Sequence, residues 1–142
     1  MITTTPDVRT TVVPPLPRVL IVDDYDDARD SLCMLLQFLG HPCATASNAA
    51  AALKAAPAFL PDVVIMDIAL PGADGYEVAR LLRSLPGLSG VKIIAMTGYG
   101  QDKDAQRSRE AGFVAHLVKP ADPVALQKLL KQLGPVPDAA TV

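Results

Sequence analysis

Short apolar runs, each followed by a stretch with helical spacing, recur five times along the chain: Val19–Val22, Ala44–Ala46, Val63–Met66, Val91–Met96 and Val114–Val118. Ala44–Ala46 is the weakest of them. The runs are too short for buried helices and show no clean polar alternation. They fit strands buried on both faces of a parallel sheet. The gaps supply the crossovers. Leu32, Leu35, Leu36 and Leu39 recur at helical spacing until Gly40 stops the pattern. Residues 48–56 predict a second helix, ended by Pro57. Val78, Leu81, Leu82 and Leu85 form the stripe of a third, and Leu126, Leu129, Leu130 and Leu133 that of the last. Between these two, Gln101 to Gly112 reads as a nearly all-polar fourth helix that can bury little area and docks weakly. A (βα)5 order with right-handed crossovers gives a doubly wound three-layer α/β sandwich around a five-stranded parallel sheet.

The 142 residues suit one domain. Residues 1–17 are rich in Thr and Pro and predict a disordered or extended arm, residues 18–133 the folded domain, and residues 134–142 a frayed tail. The formal net charge of −2 leaves no electrostatic footprint for nucleic acid or an anionic membrane surface. No apolar run approaches the ~20 residues of a membrane span, and residues 1–18 lack the apolar core of a signal peptide. A cytoplasmic protein is expected. Cys33 and Cys43 sit in apolar patterns without flanking metal ligands and are expected as buried, reduced thiols.

In open α/β sheets, function gathers at the carboxyl ends of the strands. The first apolar run ends in Asp23-Asp24, the third in Asp67, the fourth in Thr97 and the fifth in Lys119-Pro120. Three carboxylates at one sheet edge repel one another and raise each other's pKa. A divalent cation and a nearby ammonium both relieve this. The carboxylates of Asp23, Asp24 and Asp67 are hard oxygen ligands of the kind Mg²⁺ prefers. Lys119 brings a positive point charge and Thr97 a hydroxyl donor. Together these are the parts of a phosphoryl-transfer site that works by positioning and charge neutralisation. A carboxylate nucleophile there would yield an acyl phosphate. The Lys119-Pro120 bond is a candidate for the cis form.

The segments VLIVDD, MDIALPGADG, MTGYG and LVKP, in that order, resemble the receiver domain of two-component response regulators, and the resemblance spans nearly all of residues 18–133. It implies a flavodoxin-like strand order of 2-1-3-4-5. It implies that Asp67 is the phosphoacceptor, and that Asp23 and Asp24 bind Mg²⁺ together with Asp67 and the backbone carbonyl of Ala69. It makes Thr97 the switch hydroxyl and Lys119 the contact to the phosphoryl group. The implied donor is a sensor histidine kinase or a histidine phosphotransfer protein. Output then runs through a downstream protein that the sequence does not name, with the chain a monomer or a phosphorylation-linked dimer. Three residues before Lys119, where the family often carries Tyr or Phe, this chain has His116, which puts a rotating aromatic switch in doubt. The bland reading of His116 is an exposed side chain. Tyr99 is placed to lean over the site or to pack on a partner.

Other acidic residues have plainer roles. Asp26 and Asp27 suit the first turn of a helix, Asp30 lies just beyond them, Asp74 caps the third helix, and Asp62 lies at the opposite edge of the sheet. His41 stands in a turn without a ligand partner nearby in sequence. The chain thus reads as a stand-alone receiver and not a multiple-turnover enzyme. The initial Met suits a complete gene product, whereas the TGYG segment looks like receivers of hybrid histidine kinases and keeps an excised domain open. An aspartate-nucleophile phosphatase of the haloacid dehalogenase type needs a second Asp two residues after the first, where this chain has Ala69. A phosphate-independent interaction module is a further alternative, weakened by the repulsion an unused acid cluster would carry. A nicotinamide-binding reading lacks its glycine fingerprint.

Overall fold

The computed structural model describes residues 16–98 and 105–133. Tyr99, Gln101, nearly all of the predicted N-terminal arm and the whole C-terminal tail lie outside the described residues. Five strands, β1 (Val19–Val22), β2 (Cys43–Ala46), β3 (Val63–Asp67), β4 (Lys92–Thr97) and β5 (Phe113–Val118), alternate with five helices. These are α1 (Asp26–Phe38), α2 (Ala49–Phe59), α3 (Gly75–Ser84), α4 (Ala105–Ala111) and α5 (Pro123–Gln132). All strand pairs are parallel, in the order β2-β1-β3-β4-β5. This is the expected doubly wound topology.

Helices cover both faces of the sheet. One face packs Leu20, Val22, Val64 and Ile93 against Ala52, Ala56, Val78 and Leu82 of α2 and α3. The other packs Ile21, Ile65 and Ile94 against Leu36 of α1 and Leu126 of α5. That is why the central strands read as continuous apolar runs: β1 and β3 are buried at every position. The edge strands are not. β2 and β5 expose part of one side, and Val114 and Val118 are largely exposed.

Several boundaries differ from the sequence reading for local reasons. Pro57 does not end α2, which continues to Phe59. Proline in the last turn forfeits one backbone donor, and the Leu60 N–H still reaches the Ala56 carbonyl at 2.8 Å. The helix stops at Leu60, in the left-handed region at φ 53°. Leu81 points outward, and Val78, Ala79 and Leu82 carry the buried face of α3. Leu85 lies one residue past the helix as its cap. Asn48, Asp74 and Asp122 cap α2, α3 and α5 by accepting from the amides of Ala51, Tyr76 and Val124. Asp62 takes the Arg18 amide at 2.8 Å, a structural role at the far edge. His41 is buried, its Nδ1 3.1 Å from the Pro17 carbonyl, so the end of the predicted arm packs into the fold. Both thiols are free; Cys33 is buried and Cys43 half-buried. Burial, and after it the neighbouring Cys33 thiol, push the Cys43 thiol far above the ordinary cysteine range. Among the described residues no helix is long and apolar enough to cross a membrane.

Candidate active site

The parallel register brings the strand ends level, so residues far apart in sequence meet at one edge. Asp23 follows β1 directly and Asp67 is the last residue of β3; they are 2% and 3% exposed. Asp24 is exposed beside them. One carboxylate oxygen from each of Asp23, Asp24 and Asp67 falls within 4.8 Å of the others. Each buried acid is held by a backbone amide: Tyr25 donates to Asp23 Oδ1 at 3.0 Å, and Ala69 to Asp67 Oδ1 at 2.8 Å. Arg29 reaches the Asp23 carbonyl from α1 at 3.3 Å.

The ammonium expected to offset this charge is present. Lys119 Nζ donates to Asp67 Oδ2 and lies 3.6 Å from Asp23 Oδ1. Burial pulls the lysine's pKa down, but the Asp67 hydrogen bond and the charges of Asp67 and Asp23 outweigh it and hold the pKa above its ordinary value. The Lys119 amide donates to the Thr97 carbonyl at 2.8 Å, which ties the two strand ends together. The Lys119-Pro120 bond is cis, as expected. The Thr97 side chain is wholly buried, and its hydroxyl has no hydrogen-bond partner among the described residues. A buried hydroxyl left in this way costs about 1–3 kcal/mol. A cavity of about 460 Å³ opens beside Asp23, with Tyr25, Leu32, Met96, Lys119 and Pro120 among its walls.

Residues 19–131 match the family model described as "Response regulator receiver domain". The chain belongs to this family. It is 30% identical over 119 residues to sporulation initiation phosphotransferase F of Bacillus subtilis, covering 84% of this chain and 94% of that one. It is 33% identical over 113 residues to protein PilH of Pseudomonas aeruginosa, covering 80% and 93%. The solved structure of the chemotaxis response regulator CheY4 of Vibrio cholerae superposes with a TM-score of 0.75 at 29% identity, over 83% of this chain and 98% of that one. Receiver domains act in two-component signalling as phosphoacceptors, and in general they bind Mg²⁺ at an acidic pocket.

In this receiver, Asp23, Asp24, Asp67 and Lys119 converge as the sequence pattern suggested, and Thr97 stands at the adjoining strand end. Asp26 and Asp27 stay in the first turn of α1, where Asp26 pairs with Arg29, as does Asp30. His116 is not an ordinary exposed histidine. It is half-buried, its Nε2 3.0 Å from the Ser108 hydroxyl, and its ring meets Phe113 edge-on. The sequence reading missed Ser108, because a serine inside QRSRE carries no signal of burial. It also missed Arg107, which lies over the Tyr76 ring at 4.2 Å and binds Asp74 Oδ2 at 2.5 Å.

Asp74 therefore uses one oxygen as helix cap and the other as ion-pair partner. Burial raises its pKa, but the Tyr76 amide and Arg107 more than offset this and leave it below the ordinary 3.8. A lowered carboxyl pKa stabilises the fold above the ordinary value, and that stability is lost as pH falls through the folded value. Asp74→Asn keeps an oxygen for the cap and removes the charge. Its unfolding free energy, read from urea titration, is expected to fall below wild type by under about 1 kcal/mol near neutrality, as for an exposed pair. The gap should close below pH ~3.8 as the wild-type carboxyl protonates. A gap that persisted unchanged at the acid end would assign the effect to packing.

Proposed function

We propose that this receiver takes a phosphoryl group from a phosphohistidine donor onto Asp67, with Mg²⁺, and passes the signal on through protein–protein contact. The observation that carries the reading is the buried Asp67 carboxylate, held between the Lys119 ammonium and the Asp23–Asp24 pair. An Asp67 oxygen attacks phosphorus, a P–O bond forms, and the P–N bond to the donor imidazole breaks with its electron pair left on nitrogen. Lys119 balances charge on the phosphoryl oxygens, and the orphaned Thr97 hydroxyl gains an acceptor there. The residues fit the metal: Asp23, Asp24, Asp67 and the Ala69 carbonyl are hard oxygen donors, and Mg²⁺ accepts one or two carboxylates plus phosphate oxygens. When bound, it supplies positive charge to the acids and the phosphoryl group.

The donor is a sensor histidine kinase or a phosphotransfer protein, encountered in the cytoplasm. Residues 18–133 make up the receiver, which turns over no external substrate. His116 and Tyr99 belong to the output side.

The test is intact-protein mass after incubation with a small-molecule phosphodonor or a phosphorylated histidine protein. Wild type is expected to gain one phosphoryl group only when Mg²⁺ is present, and Asp67→Asn to gain none. An unmodified wild type with both donors would leave a module that signals by binding alone. Repeated turnover of phosphate esters would favour a phosphatase instead.

A further inference from the structure

Five of the eight residues from Asp23 to Asp30 are aspartates, and Arg29 is the one base among them. Its side chain is only 12% exposed, and it serves three acceptors. Nη1 donates to Asp26 Oδ1 at 2.8 Å and to the Asp23 carbonyl at 3.3 Å, and Nε donates to Asp30 Oδ1 at 3.0 Å. The carboxylates of Asp26 and Asp30 are 75% and 58% exposed, so these ion pairs contribute little to the stability of the fold. They do fix the direction of the guanidinium. A planar fork gripped by two carboxylates has a set orientation, and Nη1 is thereby aimed at the Asp23 carbonyl.

That carbonyl matters because of the residue that follows it. The Asp23 side chain is well held: it is buried, and its Oδ1 takes the Tyr25 amide at 3.0 Å. Asp24 is different. It is exposed, and among the described residues no hydrogen bond or ion pair fixes its carboxylate. Its place is set by the peptide on either side of its Cα. The peptide after it is held through the Tyr25 amide, by Asp23 Oδ1. The peptide before it is held through the Asp23 carbonyl, by Arg29. Among the described residues no backbone amide shares that second task. Yet one oxygen of Asp24 lies within 4.8 Å of oxygens of Asp23 and Asp67, a convergence that like charges oppose.

We infer that Arg29 is a positioning residue for the metal-binding acids: its hold on the Asp23 carbonyl keeps the Asp24 carboxylate turned toward Asp23 and Asp67 and so strengthens Mg²⁺ binding. The inference rests on the metal reading of the function proposed above. Charge alone predicts the opposite. A guanidinium near the site repels a divalent cation, so removing it, and freeing Asp26 and Asp30, would tighten Mg²⁺ binding. The sign of the change therefore separates holding from charge.

Calorimetric titration of the unphosphorylated protein with Mg²⁺ tests this in wild type, Arg29→Ala and Arg29→Met. Arg29→Ala is expected to bind about fivefold to tenfold more weakly, near the low end for contacts that orient a metal ligand. Arg29→Met keeps an apolar stem but has no donor, and should weaken binding as much. Phosphoryl uptake from a small-molecule phosphodonor adds a second readout. Both variants should need about fivefold to tenfold more Mg²⁺ for half-maximal uptake and reach the wild-type rate at saturation. Unchanged or tighter Mg²⁺ binding in Arg29→Ala would overturn the positioning role. Wild-type binding in Arg29→Met would assign the effect to packing of the stem and overturn it too, as would a loss of uptake that saturating Mg²⁺ does not repair. If wild type binds Mg²⁺ but takes up no phosphoryl group, the proposed function fails and the calorimetry still decides the role of Arg29. If wild type binds no Mg²⁺, the metal reading fails and this inference with it.

Discussion

Lys119→Ala, unfolded in urea at neutral pH with a chelator present, is expected to be about 2–3 kcal/mol less stable than wild type. Asp23 and Asp67 are almost fully buried, and the ammonium of Lys119 is bonded to one and 3.6 Å from the other. Removing it leaves two like charges in a site from which water is largely excluded. The lysine side chain is 32% exposed, which keeps the figure below that of a wholly buried pair. Two dependences identify the cause. Millimolar Mg²⁺ should restore most of the loss, since an ion that binds only the folded acids stabilises by mass action. Raising the pH should narrow the gap as wild-type Lys119 loses its proton. The pKa of Lys119 is raised, so its contribution is complete below the ordinary 10.5 and disappears as pH climbs through the folded value. The variant should still bind Mg²⁺ but lose phosphorylation-dependent switching. Equal stability of the two proteins in chelator would mean that charge repulsion is not what Lys119 relieves.

The second large effect is expected at Gly75, the first residue of α3. A Cβ there would stand 2.6 Å from the Ile68 Cα and 2.9 Å from the Ile68 carbonyl oxygen. Backbone lies in its way, so no rotamer relieves the clash, and overpacking of this kind costs about 1–3 kcal/mol. The strain falls on the segment Asp67–Ala69, which supplies the amide that holds Asp67 Oδ1. Gly75→Ala should therefore melt at lower temperature and also take up the phosphoryl group more slowly. Gly90→Ala is the control, because nothing lies within 4 Å of a Cβ there and its φ is ordinary. If Gly75→Ala kept wild-type uptake despite a lower melting temperature, the loop geometry would not limit phosphorylation. If both glycine variants behaved alike, the close approach of α3 to Ile68 would carry no energetic weight.

Much of this receiver was legible in the sequence because its signals are local or periodic. The five apolar runs marked the strands, since residues in the middle of a parallel sheet face helices on both sides. The acids, Thr97 and Lys119 were visible because each follows such a run, and a parallel sheet places all run ends at one edge. The errors have local causes as well. Pro57 removes one backbone donor in a turn that was ending anyway, so α2 runs past it to Phe59. Leu81 lies next to Leu82 and yet points outward, because the helix presents to the sheet only an arc set by its docking angle.

The order of elements, the five-fold βα repeat and the acids, hydroxyl and lysine that end the strands can all be read along the chain. Each of those follows from a residue's own chemistry or from its spacing to near neighbours. Which groups touch depends on how the elements pack together. That packing set the Lys119 ammonium against Asp67 and Asp23, buried the Thr97 hydroxyl without a partner among the described residues, and joined His116 to Ser108. It also gave Asp74 a second role as the partner of Arg107, which lies 33 residues away in sequence. The reason is physical: these contacts join side chains from different elements. Their energies depend on the register of the sheet and the seating of helices upon it, and neither quantity is written in any one stretch of chain.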